Sequence, residues 1–244
     1  MLNTATALHA RRHVHLVARI GEHDEDGQWV QQQATALGMA ADWLADESTI
    51  TTQKMRVVAE PTGDYLARLD HEIVAPLSAS LEQRLHERIQ ALVPEVDVVV
   101  VSDYAKGFVS QEVAGLIVQV ANRAGVPVVV DGKPCTIPWY AGATVFTPNV
   151  TEAQKLAVKL GIGDSRGCTG VGEVVSMIGP GLAARLQGSV LITCGADGMY
   201  LFPGGHHIPA APPVDAAEVG TTSGAGDIVT AVLACEWLGA GDVG

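Results

Sequence analysis

From Val96 onward, short β-branched runs alternate with stretches of helical periodicity, and this alternation restricts the fold more than any other feature of the chain. Strands are expected at Val96–Val101, Val126–Asp131, Ala143–Thr147 and Ser189–Thr193. Near-continuous apolar runs such as Val98-Val99-Val100-Val101 suit strands covered on both faces. Helices are expected near Gln111–Ala124, Thr151–Leu160 and Val171–Leu186, the last interrupted at Gly179-Pro180-Gly181, where proline withholds a backbone donor. Repeated strand–helix–strand units imply an α/β fold: a mostly parallel sheet with helices on both faces. With 244 residues, 48% of them hydrophobic, the chain can bury a sizeable core as one α/β domain or one domain plus a small appendage.

In such sheets ligands bind beyond the carboxyl ends of the strands. There the sequence places Ser102-Asp103-Tyr104-Ala105-Lys106-Gly107, Asp131-Gly132-Lys133, Thr147-Pro148-Asn149-Val150-Thr151-Glu152 and Thr193-Cys194-Gly195-Ala196-Asp197-Gly198. A further segment, Thr221-Thr222-Ser223-Gly224-Ala225-Gly226-Asp227, runs into an apolar helix over Ile228–Leu238. Its small residues let the backbone turn tightly and expose consecutive N–H groups, and the helix start adds unpaired donors and a positive dipole end. Asp227 at the lip of this anion site is placed to take a proton from an incoming hydroxyl during phosphoryl transfer. The same residues also read as a turn and an ordinary helix start, with Asp suited to the dipole.

The segment 51–72 differs in character. Lys54–Ala59 and Tyr65–Asp70 alternate around Pro61-Thr62-Gly63-Asp64, which predicts a hairpin. It is either a β flap over the strand ends or a simple edge hairpin. The formal net charge of −12 offers no clustered lysines and arginines for a nucleic-acid backbone. Cys135, Cys168, Cys194 and Cys235 have no metal-ligand spacing and are expected as reduced, mostly buried thiols, while His206-His207 beside Gly204-Gly205 is expected in an exposed turn. There is no apolar run of membrane-spanning length and no basic-then-apolar leader, so a cytoplasmic protein is expected.

Taken together, these segments resemble the ribokinase-like (PfkB) family of sugar kinases, and within it the kinases of heptose 7-phosphate in bacterial ADP-heptose synthesis. Ser102-Asp103-Tyr104-Ala105-Lys106-Gly107 matches S-D-Y-x-K-G, and Asp131-Gly132-Lys133 resembles D-P-K with glycine in place of proline. Thr147–Glu152 fits T-P-N-x-x-E and Gly224–Asp227 fits G-A-G-D, while Thr52–Arg56 and Arg68-Leu69-Asp70 fit the lid. The resemblance implies a single ribokinase-like domain over 1–244, incomplete at both ends, with 51–72 as a β lid. It implies an ATP- and Mg²⁺-dependent kinase that phosphorylates heptose 7-phosphate at its anomeric hydroxyl and pairs into a homodimer through the lid.

Roles follow by position. Asp227 matches the catalytic base, and Gly224, Ala225 and Gly226 match the anion hole. Asn149 and Glu152 match a pair that organises Mg²⁺ through water, with Val150 and Thr151 between them on the nucleotide side; the pair also reads as a helix capping box. Thr193, Gly195 and Gly198 resemble the nucleotide-side turn, although turn geometry alone also explains the glycines; Asn3, Asp103, Lys106 and Lys133 are candidates for the sugar phosphate, the last three reading equally as solvated charges. Thr221 replaces an aspartate that helps bind a monovalent cation in relatives, so weaker cation binding is expected there. The family's Gly-Gly-x-x-Asn substrate segment is resembled only at its Asn, by Asn3. Two other readings therefore stay open: a relative that keeps a nucleotide-binding scaffold with little catalysis, or a kinase for another sugar or a nucleoside.

Overall fold

The computed structural model describes residues 2–60, 62, 64–163, 168–211 and 224–239. Its centre is a sheet of six strands in the order β10-β9-β8-β7-β6-β5, formed by β5 (Val99–Asp103), β6 (Val128–Gly132), β7 (Val145–Phe146), β8 (Ser189–Thr193), β9 (Met199–Phe202) and β10 (His206–Ile208). β5 to β8 run parallel, and β9 and β10 are added antiparallel. All four expected strands are present.

Period-two alternation sorts the side chains onto two faces. Val99, Val101, Val128, Val130, Val190 and Ile192 enter the larger core cluster, whereas Val98, Val100, Val129 and Leu191 enter the smaller one. The larger cluster is covered by α3 (Ala79–Leu92), α4 (Gln111–Ala124), α5 (Val150–Leu160) and α6 (Val171–Leu186). The smaller lies under α1 (Leu2–His9) and α7 (Ala225–Gly239), which pack on each other. Helices thus cover both faces, as expected.

Helix α6 is continuous, contrary to the expected interruption. Pro180 removes one N–H, but Val175, Ile178, Leu182 and Leu186 are almost wholly buried and hold both halves against the core. Its glycines are packing residues: a Cβ on Gly179 would stand 2.3 Å from the Phe202 ring, and one on Gly181 2.4 Å from Ile162. His206 and His207 are exposed, but they open β10 instead of a turn, with His207 stacked on Tyr200 at 4.4 Å between ring centroids. Cys194 and Cys235 are buried, Cys168 is half-buried and Cys135 is exposed, and none of the four forms a disulfide.

Two smaller sheets complete the chain. β1 (His15–Gly21) and β2 (Ala40–Asp46) pair in parallel through α2 (Glu25–Ala36), whose start is capped by Asp24. β3 (Gln53–Val58) and β4 (Tyr65–His71) form the expected antiparallel hairpin. Pro61 and Gly63 of its turn lie outside the described residues. Every residue of β3 and β4 is exposed.

The hairpin is fastened at its root. Arg19 donates to the Ala75 carbonyl at 2.6 Å and pairs with buried Asp46 at 2.6 Å. Gly107 presses on the same carbonyl; with φ +86° and a would-be Cβ 2.1 Å from Ala75 O, no side chain fits there.

Candidate active site

The carboxyl ends of β5, β6 and β7 and the first turn of α7 converge on one acidic cleft. β5 ends in Asp103, whose side chain points inward. It is 6% exposed, accepts from Tyr140 Oη at 2.9 Å and from Ala105 N at 2.8 Å, and so shapes the loop that follows. The Asp103 expected to meet a sugar phosphate is thus committed to bracing that loop. Next in the loop, Tyr104 reaches across to Asp227 Oδ1 at 3.3 Å, bringing the S-D-Y-A-K-G and G-A-G-D segments together. Lys106 turns the other way, to Glu72 at the end of the hairpin, where Lys54 also approaches at 3.8 Å.

Lys133, after β6, donates to Glu152 Oε1 at 2.7 Å and lies 5.8 Å above the Tyr104 ring centroid. Burial works against its ammonium, but Glu152, Asp131 and Tyr104 prevail and hold its pKa above the ordinary value. Asp131 is the opposite case. Burial raises its carboxyl to about 6; Lys133 opposes the rise, and Glu152 and Asp227 add to it. Tyr104 is raised as well, by burial first and then by the charges of Asp227 and Asp131.

Glu152 and Asn149 form a complete capping box at the start of α5. Asn149 Oδ1 accepts from Glu152 N at 2.9 Å, and Glu152 Oε2 accepts from Asn149 N at 3.2 Å. Val150 and Thr151 form the first turn between them. A hydrated cation fits this end of the cleft. Its donors are oxygens, the bonded carboxylate oxygens keep further lone pairs for water, and the mutual repulsion registered at Asp131 is what a divalent ion would relieve.

The nucleotide-side candidates lie beside that capping box. Asn149 and Thr193 form a parallel bridge, with Thr193 N donating to the Pro148 carbonyl at 3.0 Å. Gly195 and Gly198 shape the following turn, at φ +58° and +80°, and Cys194 N closes it on Gly198 O at 2.8 Å. A Cβ on Gly195 or on Gly226 would meet no atom within 4 Å, so no described neighbour requires glycine at either position.

Asp227 stands in the first turn of α7, behind Gly224, Ala225 and Gly226. Its Oδ1 also accepts from Thr4 Oγ1 at 2.7 Å, a contact that sequence reasoning missed because its partners are 223 residues apart. Asn3 is exposed beside the same turn, its Nδ2 3.9 Å from where a Gly224 Cβ would stand. Thr221, Thr222 and Ser223 lie outside the described residues. Two hollows elsewhere, one lined by Gln90, Pro94 and Arg123 and the other by Thr144, Pro180 and Gln187, open at the amino ends of the strands and have no carboxylate in their walls. Among the described residues, no helix is long and apolar enough to cross a membrane.

Known proteins align with this arrangement. The family model described as pfkB family carbohydrate kinase matches residues 2–243. The bifunctional protein HldE of Gluconobacter oxydans is 37% identical over 241 residues, covering 94% of this chain and 46% of that protein. The chain therefore spans about half the length of the curated relatives it matches. Adenosine kinase from Schistosoma mansoni in complex with 2-fluoroadenosine superposes with a TM-score of 0.76 at 15% identity, over 98% of this chain and 72% of that one. Arabidopsis thaliana ribokinase complexed with ribose and ATP gives 0.67 at 19% identity, over 97% and 73%. These two likenesses show a ribokinase-like α/β fold. The sequence motifs, the matched family model and the shared fold agree, and the chain belongs to the pfkB family of carbohydrate kinases.

Proposed function

We propose that this chain is the kinase portion of a heptose-phosphate enzyme, transferring the γ-phosphoryl group of ATP to O1 of D-glycero-D-manno-heptose 7-phosphate. The observation that carries the reading is the Tyr104–Asp227 contact, which joins the loop resembling heptose kinases to the carboxylate matching the family's base. In this reading Asp227 takes the proton of the anomeric hydroxyl as its oxygen bonds to the γ-phosphorus. The bond between that phosphorus and the bridging oxygen breaks, and its electrons leave with ADP. The N–H groups of Gly224, Ala225 and Gly226 receive charge on the migrating group. Lys133 supplies positive charge for the sugar phosphate and Lys106 would join it by exchanging Glu72 for the phosphate, with Asn3 at the rim and Asp103 holding the loop that carries Lys106. Thr193, Gly195 and Gly198 border the nucleotide.

Asn149 and Glu152 would hold Mg²⁺ through its waters, with Val150 and Thr151 setting the turn that presents them. Held there, Mg²⁺ would supply charge neutralisation for the nucleotide phosphates. Pairing of two copies through the β3–β4 hairpin belongs to the same reading, supported by exposed Met55, Val57, Leu66 and Leu69. The purified chain with ATP, Mg²⁺ and heptose 7-phosphate is expected to form the 1,7-bisphosphate. Asp227→Asn is expected to lower kcat about 10²- to 10⁴-fold. Product formation no faster in the wild type than in that variant would refute the proposal, and a panel of other sugars and nucleosides would then identify the acceptor.

A further inference from the structure

Among the described residues, Asp227 is gripped by one oxygen only. Thr4 Oγ1 donates to Oδ1 at 2.7 Å, and Tyr104 Oη reaches the same atom at 3.3 Å. Among the described residues no donor reaches Oδ2, which faces the Gly224 turn, 3.8 Å from the point a Gly224 Cβ would occupy. Thr4 is 3% exposed, so its hydroxyl is screened from competing water. It sits on α1, which packs along α7, so the donor is fixed by one helix and the acceptor by its neighbour.

A carboxylate turns easily about its last torsion, which has broad, roughly two-fold wells. A base that turns freely presents neither oxygen reliably. A short bond to Oδ1 from a buried, β-branched donor sets the carboxylate plane and leaves Oδ2 for the acceptor hydroxyl. Tyr104 is the weaker holder, because its contact is longer and it lies on the partly exposed side of the cleft, under Lys133.

We propose that Thr4 is a positioning residue that holds Asp227 by Oδ1 so that Oδ2 takes the acceptor proton. The proposal rests on the kinase reading above, and its test separates the two. Thr4→Val keeps the shape and removes the donor, whereas Thr4→Ser keeps the donor and loses a methyl group. For Thr4→Val, kcat is expected to fall about 10- to 100-fold with both KM values within about threefold of wild type. Thr4→Ser should stay within about threefold of wild-type kcat. A Thr4→Val kcat within about twofold of wild type, a loss confined to KM, or a Thr4→Ser enzyme as slow as Thr4→Val would each overturn the assignment. Should Thr4→Val fail to fold, Thr4→Ala is read against Thr4→Ser by the same criteria.

If the wild-type chain transfers phosphate to no acceptor, the kinase reading fails on that result alone. Thr4 is then judged by the thermal midpoints of Thr4→Val, Asp227→Ala and the double variant. Non-additive shifts keep the pair as a coupled unit, and additive shifts overturn it.

Discussion

The six-stranded sheet and the β3–β4 hairpin are built from similar residue types and reach opposite states. In β6, Val128, Val129 and Val130 are wholly buried, whereas Met55, Val57, Leu66 and Leu69 of the hairpin are all exposed. The sheet residues have helices on both sides. The hairpin has none, and a two-stranded ribbon is marginal on its own. It is held by polar links: Lys106 and Lys54 on Glu72, Lys54 on Asp70 at 3.7 Å, and Arg19 on the Ala75 carbonyl. Hydrophobicity of sequence alone therefore does not tell a core from a cover; the layer that lies against it does. Burial on both faces fixes the sheet, whereas the hairpin keeps its place through polar links at its root and edge.

The comparison is broken most severely by removing a large side chain from the sheet. Phe146 is wholly buried, so Phe146→Ala should cost about 3–5 kcal/mol of stability, read as a lowered urea midpoint. A loss below about 1 kcal/mol would mean that the sheet is packed no better than the hairpin.

A smaller effect tests the electrostatic cost at the strand ends. Asp131 is raised from 3.8 to about 6 in the folded protein, so the folded state holds the proton more tightly than the unfolded chain. Its favourable contribution is complete below pH 3.8 and is lost as pH rises through 6. Asp131→Asn avoids that loss. It should match wild type near pH 3.8 and exceed it at neutral pH by on the order of 1–3 kcal/mol. Thermal midpoints measured across this range check the sign, and parallel profiles for the two proteins would contradict it. The smallest effect belongs to the hairpin of a single copy: at concentrations too low for the proposed pairing, Leu69→Ala should change stability by no more than about 0.5 kcal/mol. A larger loss would show that the hairpin's apolar side chains are covered in solution.

The strands and helices of the sheet were legible because their periodicities are strong: α4 and β8 fall at the expected residues. Elements the sequence reading passed over have weak local signals. β2 is built on alanines and aspartates, α2 carries a glycine and a glutamine run, and β10 follows two glycines. Pro180 misled because a proline's local cost was outweighed by burial on both sides of it. In the cleft, residue types at the strand ends could be read from the order of elements. Their orientations could not. That Asp103 turns inward to Tyr140, and Lys106 outward to Glu72, depends on partners brought near only by folding.

The Thr4–Asp227 bond ties the first described helix to the last across 223 positions of sequence. During synthesis, most of the strands and the helices between them have left the ribosome before Asp227 is made. A nascent chain can thus assemble its scaffold while the base that would act on a sugar does not yet exist. The helix that carries that base must then dock on the first helix of the chain, a closure of high contact order that comes late. On the proposed reading, chemical competence is in this way deferred until α7 is made, and a fragment released before it would hold a fold without a reaction.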